Sequence, residues 1–292
     1  MQRKTLRVTS NDGASAALEL FLPPMAPDRA LLWLPALGVG IGPNVRFAQS
    51  LAAAGVTVAV LEWRGLGSSD RRASRRSDWG YRELLDDDIP AAARLAGAQL
   101  PDAAWCIGGH SLGGQLALLH AARNARDWSD CVLVGSGHPH WRTFRGWRGH
   151  ALRLLLHAIA PTTALWGHFP GHHLRFAGRE ARRLMRDWAR TARTGSYRVA
   201  PFDATLDADL RAWTGAVLGV RLADDRLAPA ASLDHLRALA PHSDWTVRTL
   251  TSAQFAHRRA DHFGWLREPG AVVDTVRAWL DTRAAVHRTQ KR

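Results

Sequence analysis

The sequence predicts an α/β fold: a mostly parallel, twisted sheet of about eight strands, with helices on both faces and a helical cap inserted late in the chain. Three observations carry this reading. Strand-length apolar runs alternate with helical stretches from Ala30 to Val134. Within that stretch, a strand ending in two glycines turns through a serine directly into a helix. A run of roughly 70 residues with no strand pattern then intervenes, and alternation resumes at Thr214.

The elements follow in order. Thr5–Val8 and Ala16–Leu22 flank Asn11–Asp12–Gly13, a turn signal, and read as an opening hairpin. Ala30–Leu34 is continuously apolar, as a strand covered on both faces must be. It runs into Pro35–Pro43, a loop rich in glycine and poor in side chains, through which backbone amides can approach a ligand closely. Asn44–Ala54 reads as a helix stopped by Gly55, and Val56–Leu61 as the next buried strand. A second glycine loop, Glu62–Ser69, precedes Arg71, Arg72, Arg75 and Arg76, which read as exposed. Tyr81–Ala96 is helical with an acidic first half, and Pro90 implies a kink or a fresh start.

The central motif is Gly109–His110–Ser111–Leu112–Gly113. An apolar strand (Ala103–Ile107) leads into it and a helix ending near Asn124 leads out. This is the setting of a nucleophile elbow: a sharp strand-to-helix turn holds a serine in strained backbone geometry and lifts its hydroxyl above the sheet. Side chains two positions before and after the serine would collide, so glycine stands at 109 and 113. The Leu112 amide opens a helix, where it can face a developing oxyanion.

Asp130–Val134 is a further strand. Residues 1–135 and 210–292 read as the core, and 136–209 as the cap. The cap holds Trp141, Trp147, Trp166 and Trp188, many arginines and half of the histidines, with an arginine-rich helical stretch from Arg179 to Arg193. Tryptophan among arginines suits an apolar–polar boundary, either an acyl chain or a membrane surface, although tryptophans packed inward give the same composition. Trp141, Trp166 and His110 are the candidate substrate contacts. After the cap come a buried strand (Thr214–Val220), a helix with Ser232 as a candidate N-cap (Ser232–Leu239), a last strand (Trp245–Leu250) and an amphipathic closing helix (Pro269–Val286), with a basic tail expected to fray.

A serine hydroxyl needs a base, a carboxylate to orient that base, and donors for the oxyanion. Asp225 follows the strand after the cap and precedes Pro229, with Asp224 as its competitor. His262 follows the last strand, with His257 as the alternative. The chain order serine, acid, histidine is the order this architecture uses.

Composition narrows the partners. The chain has 292 residues and a formal net charge of +13, nearly all from arginine, since Lys4 and Lys291 are the lysines. Such a surface would favour acidic partners, among them anionic lipid headgroups and acyl carriers. No nucleic-acid motif accompanies the charge, so nucleic acid is not an expected partner. Cys106 and Cys131 each sit in an apolar strand and read as buried free thiols in a reducing compartment. The N-terminal residues lack the apolar segment of a secretory signal, and no window reaches the roughly 18 apolar residues of a membrane span. A cytoplasmic enzyme is expected. His138, His140, His168, His172 and His173 do not match a ligand spacing, so neither a metal nor another cofactor is expected.

From about Leu31 to Leu280 the chain resembles the α/β-hydrolase superfamily, and more narrowly its serine-hydrolase branch near the serine aminopeptidase and monoacylglycerol-lipase type. The matching pieces are Pro35–Ala36–Leu37–Gly38, Arg64–Gly65–Leu66–Gly67–Ser68, Gly108–Gln115, Asp225 with Pro229, and His262–Phe263–Gly264. Where many relatives carry His-Gly, this chain has Pro35–Ala36. The resemblance implies Ser111 as nucleophile, His262 as base, Asp225 as its orienting acid, and the Leu37 and Leu112 amides as oxyanion donors. It also implies hydrolysis of a small-molecule carboxylic ester or thioester without a cofactor. An acyltransferase would use the same acyl-enzyme, and a non-catalytic binding protein would keep only the fold.

Overall fold

The computed structural model describes residues 1–25, 28–174 and 176–290. Its centre is an eight-stranded sheet in the order β1-β2-β4-β3-β5-β6-β9-β10. β1 (Gln2–Thr9) and β2 (Ser15–Leu22) form the expected hairpin, and β2 runs antiparallel to β4 (Thr57–Leu61). β3 (Arg29–Leu34), β4, β5 (Ala104–His110), β6 (Asp130–Val134), β9 (Ala216–Leu222) and β10 (Asp244–Leu250) are parallel. Every residue of β4 and β6 is buried, which explains their unbroken apolar runs. β1 closes one edge with Arg3, Lys4 and Arg7, charges that discourage pairing with another sheet.

Two apolar layers cover the faces. On one side α1 (Ile41–Ala53) and α9 (Gly270–Gln290) pack Phe47, Val272 and Val276 on Trp33 and Val58. Trp33 and Phe47 meet at 4.6 Å between ring centroids, and Phe47 and Trp265 at 5.4 Å. The Trp33 indole donates to Asn44 Oδ1 at 2.9 Å, so its one polar group is satisfied inside the core. On the other side lie α2 (Ile89–Gln99), α3 (Leu112–Arg123) and the long β6–β9 connection. The predicted helix over 81–96 divides: Glu83–Asp88 is a π-helical turn, and Pro90 stands in the first turn of α2. Proline has no N–H to give the preceding turn, which widens instead.

The connection holds α4 (Trp147–Trp166), α5 (Gly171–Leu174), α6 (Arg182–Thr194) and α7 (Thr205–Ala212). It also holds two short antiparallel strands that its sequence pattern did not announce, β7 (His168–Pro170) and β8 (Arg179–Ala181). The arginine-rich helix therefore starts at Arg182, after β8. Two histidines tie down its far end. His140 Nδ1–H donates to the Ala192 carbonyl at 3.1 Å, and His235 Nε2–H, from α8 (Ala230–Leu239), donates to the Gly195 carbonyl at 2.8 Å. The N-cap of α8 is Pro229 and not Ser232, whose hydroxyl donates back to the Pro229 carbonyl at 2.7 Å. The tail expected to fray after Val286 continues as helix to Gln290, and residues 291–292 lie outside the described residues. Cys106 and Cys131 are free and buried, and burial pushes both thiols up from their ordinary pKa. No described helix is long and apolar enough to cross a membrane.

Candidate active site

Ser111 is the hinge between β5 and α3, with φ 54° and ψ −121°. That is costly for any residue but glycine, and the surroundings hold it there. Its N–H donates to the Val134 carbonyl at 3.1 Å, and its own carbonyl accepts the Ser136 hydroxyl at 2.7 Å. A Cβ at Gly109 would sit 2.6 Å from the Leu34 carbonyl oxygen, and one at Gly113 would run into the Leu34 and Pro35 carbonyls. The turn thus packs directly against the Pro35–Pro43 loop, with no side chain between.

Asp225 and His262 come from the loops after β9 and β10. His262 Nδ1 lies 2.7 Å from Asp225 Oδ2, and both residues are buried. A carboxylate oxygen only accepts, so the imidazole proton is on Nδ1 and Nε2 keeps a lone pair. The other carboxylate oxygen, Oδ1, accepts the Leu227 and Ala228 amides, each at 2.8 Å. The carboxylate is therefore fixed from both ends. The competing residues do something else: Asp224 Oδ2 accepts the Ala260 amide at 2.9 Å, and His257 stacks on Phe255 at 5.6 Å.

Ser111 and His262 line one cavity of about 470 Å3, together with Leu37, Leu112 and Gln115. No direct hydrogen bond joins the Ser111 hydroxyl to the imidazole; catalytic bonds of this kind commonly tighten only when substrate binds. The Leu37 and Leu112 amides have no acceptor among the described residues. The far wall comes from the connection: Phe144, Trp147, Leu152, Leu155, Phe176 and Trp188. Among the described lining residues there is no Asp or Glu, and the charged ones are Arg148 and Arg226. Such a wall can hold an apolar chain beside a serine and a histidine with a free lone pair.

Beneath the Pro35–Pro43 loop, Glu62 Oε1 accepts the Ile41 amide at 3.1 Å, and burial raises its pKa. Glu180 is buried beside the same loop, accepts the Gly178 amide at 2.9 Å, and is pushed up to about 7 by burial. Gly38, at φ 72°, lies against Ala177 and Gly178, where a Cβ would not fit.

Three expected substrate contacts are elsewhere. His110 is fully buried behind His262, 4.7 Å from its ring, edge-on to Trp265 at 5.3 Å. As the last strand residue it points into the sheet's covered face while Ser111 points out of the turn. Burial drives its pKa well below the ordinary value. Trp141 packs half-buried on the core, with Arg142 and Arg153 each 5.2 Å from its ring centre. Trp166 is exposed at the far end of α4. Trp147 and Trp188 take the places on the cavity wall. The signal for Trp147 was its helical spacing from Ala151 and Leu155, which also line the cavity. Among the described residues no cluster of three or more His, Cys, Asp or Glu could hold a metal ion, and the His172 side chain lies outside them.

Residues 27–194 match the family described as serine aminopeptidase, S33. The chain belongs to that family. Its match spans the Pro35–Pro43 loop, the elbow and the connection as far as α6, while Asp225 and His262 lie beyond it. Solved structures share the fold at low identity. The ferulic-acid-bound esterase Est1E of Butyrivibrio proteoclasticus has a TM-score of 0.63 at 15% identity, over 96% of this chain and 99% of that one. The esterase domain of a Rhodothermus marinus protein has a TM-score of 0.57 at 17% identity, over 96% and 98%. The thioesterase domain of the curacin biosynthetic pathway has a TM-score of 0.58 at 15% identity, over 94% and 98%. No curated protein matches the chain. The protein is an α/β-hydrolase of the serine-hydrolase branch.

Proposed function

We propose that the protein is a serine hydrolase cleaving a carboxylic ester or thioester of an apolar acyl group, and that residues 136–209 form the cap over its acyl site. The observation that carries this is the buried Asp225–His262 pair, 2.7 Å apart, whose imidazole lines one apolar cavity with a strained Ser111. Ser111 Oγ attacks the acyl carbonyl as His262 Nε2 takes its proton. Asp225 holds the tautomer and stabilises the imidazolium. The Leu37 and Leu112 amides donate to the tetrahedral oxyanion, and His262 passes the proton to the departing alcohol or thiol. Water, deprotonated by the same imidazole, then releases the acid and restores Ser111.

An ester fits this cavity better than the N-terminus of a peptide. An aminopeptidase must hold a substrate ammonium group, and the described lining offers two arginines and no carboxylate for it. The two esterase structures and the thioesterase domain named above are the kinds of enzyme this fold hosts, and they agree with an acyl-transfer reading. A fluorophosphonate probe tests the proposal. Stoichiometric labelling of Ser111, lost in Ser111→Ala, is expected, with hydrolysis of p-nitrophenyl esters and little of amino-acid p-nitroanilides. A well-folded protein that neither labels nor turns over esters would end it.

A further inference from the structure

Helix α4 is apolar on two adjoining sides. Its inner face sets Leu152 and Leu155 on the cavity and buries Leu156 and Ile159. Its outer face carries Trp147 and Ala151, which also edge the cavity, and then Leu154, Ala158, Pro161 and Leu165, alternately four and three residues apart, which is one stripe along the helix. All six are exposed: Trp147, Leu154 and Leu165 by 74%, 73% and 70%. An apolar stripe along a helix ordinarily packs against another element, yet no described residue covers this one. The rim of the cavity continues the pattern, because Leu227 and Phe263 are exposed and line the mouth beside Trp147.

Charge says what covers it. From Cys131 to Arg179 the chain has six arginines and neither aspartate nor glutamate. Arg145, Arg148 and Arg153 are exposed on or just before α4, and Arg148 leans over the Trp147 ring at 5.9 Å. Tryptophan stands at both ends of the helix, and its ring favours the boundary between lipid and water.

We infer that the outer face of α4 docks on the surface of an anionic lipid bilayer, with the cavity mouth turned toward the lipid. Trp147, Leu154 and Leu165 enter the headgroup region, and the flanking arginines meet phosphate. A second copy of the chain is a poorer occupant, since it would oppose two arginine-rich faces that contain no carboxylate. The docking does not depend on the chemistry at Ser111, so Ser111→Ala protein serves for the measurement.

Flotation with vesicles of phosphatidylcholine alone, and of phosphatidylcholine mixed with phosphatidylglycerol, is the experiment. Binding to the mixed vesicles is expected, weakened by salt and about tenfold or more stronger than to the neutral ones. Leu154→Asp with Leu165→Asp should abolish it without moving the melting temperature, because both side chains face solvent. Arg145→Gln with Arg153→Gln, which spares the stripe, should remove the preference for the anionic vesicles and decides the matter if the aspartate variant folds poorly. Equal binding to both vesicles, no binding to either, or a concentration-dependent dimer broken by Leu154→Asp would overturn the inference.

Discussion

Replacing Asp225 by asparagine separates orientation of the base from simple presence of a side chain. Asp225 Oδ1 accepts two backbone amides at 2.8 Å, and Oδ2 accepts His262 Nδ1–H at 2.7 Å. Asparagine can satisfy the two amides only with its carbonyl oxygen, which places its NH2 opposite the imidazole. The ring must then accept at Nδ1 and carry its proton on Nε2, where no lone pair remains for Ser111. The reversed amide would leave two buried N–H groups unpaired at about 1–3 kcal/mol each, so about 2–6 kcal/mol holds the inactive arrangement. The expected fall in kcat is about 10,000-fold, or about 5.4 kcal/mol of barrier, the size seen when a Ser-His-Asp enzyme is given the wrong tautomer. Every hydrogen bond around residue 225 persists, so the melting temperature should barely move. Initial rates on p-nitrophenyl butyrate with a parallel thermal melt measure both. A loss smaller than about tenfold, in protein that melts like the wild type, would refute the role given to Asp225.

Other expectations follow from the same geometry. Glu180 keeps its proton to about 7 in the fold, against an ordinary value of 4.5, so the folded protein binds the extra proton between those limits and wild-type stability falls as pH rises through them. Glu180→Gln retains an acceptor for Gly178 and removes the titration; urea unfolding should show the variant gaining up to about 3 kcal/mol on the wild type between pH 4.5 and 7, and an unchanging difference would contradict it. Trp147→Ala should lengthen the preferred acyl chain in a p-nitrophenyl ester series while Trp166→Ala leaves the profile alone, and identical profiles for both would remove Trp147 from the acyl wall. Gly113→Ala pushes a methyl into the Leu34 and Pro35 carbonyls and should lower both melting temperature and kcat; a fully active, equally stable variant would show that the elbow is not tightly packed.

Much of this was legible in the chain. Buried parallel strands such as β4 and β6 read as unbroken apolar runs because both faces are covered. The elbow was legible because Gly109 and Gly113 answer a steric demand that few other arrangements make. The β6–β9 connection was less so. Its helix α4 carries apolar residues on the cavity side and on an exposed side alike, so the spacing of Trp147 from Ala151 and Leu155 marks one helical face without saying that this face turns toward the cavity. β7 and β8 have three residues each, too few to show alternation. His110 stands apart from the cavity because adjacency to Ser111 in sequence is not adjacency in space at a turn that reverses direction. The Glu180 carboxyl left no sequence signal at all, since its burial is a product of tertiary packing alone.

β6 and β9 pair directly in the sheet, Asp130 opposite Ala216 and Val134 opposite Val220. The long connection therefore leaves and rejoins the sheet at neighbouring strands, roughly 4.8 Å apart. A segment anchored in that way can grow, shrink or be exchanged without altering the register of any strand. The loops that carry Ser111, Asp225 and His262 and the proposed acyl compartment are in this sense separately replaceable. Grafting a relative's segment between Val134 and Ala216 is accordingly a direct route to a new substrate range on an unaltered base.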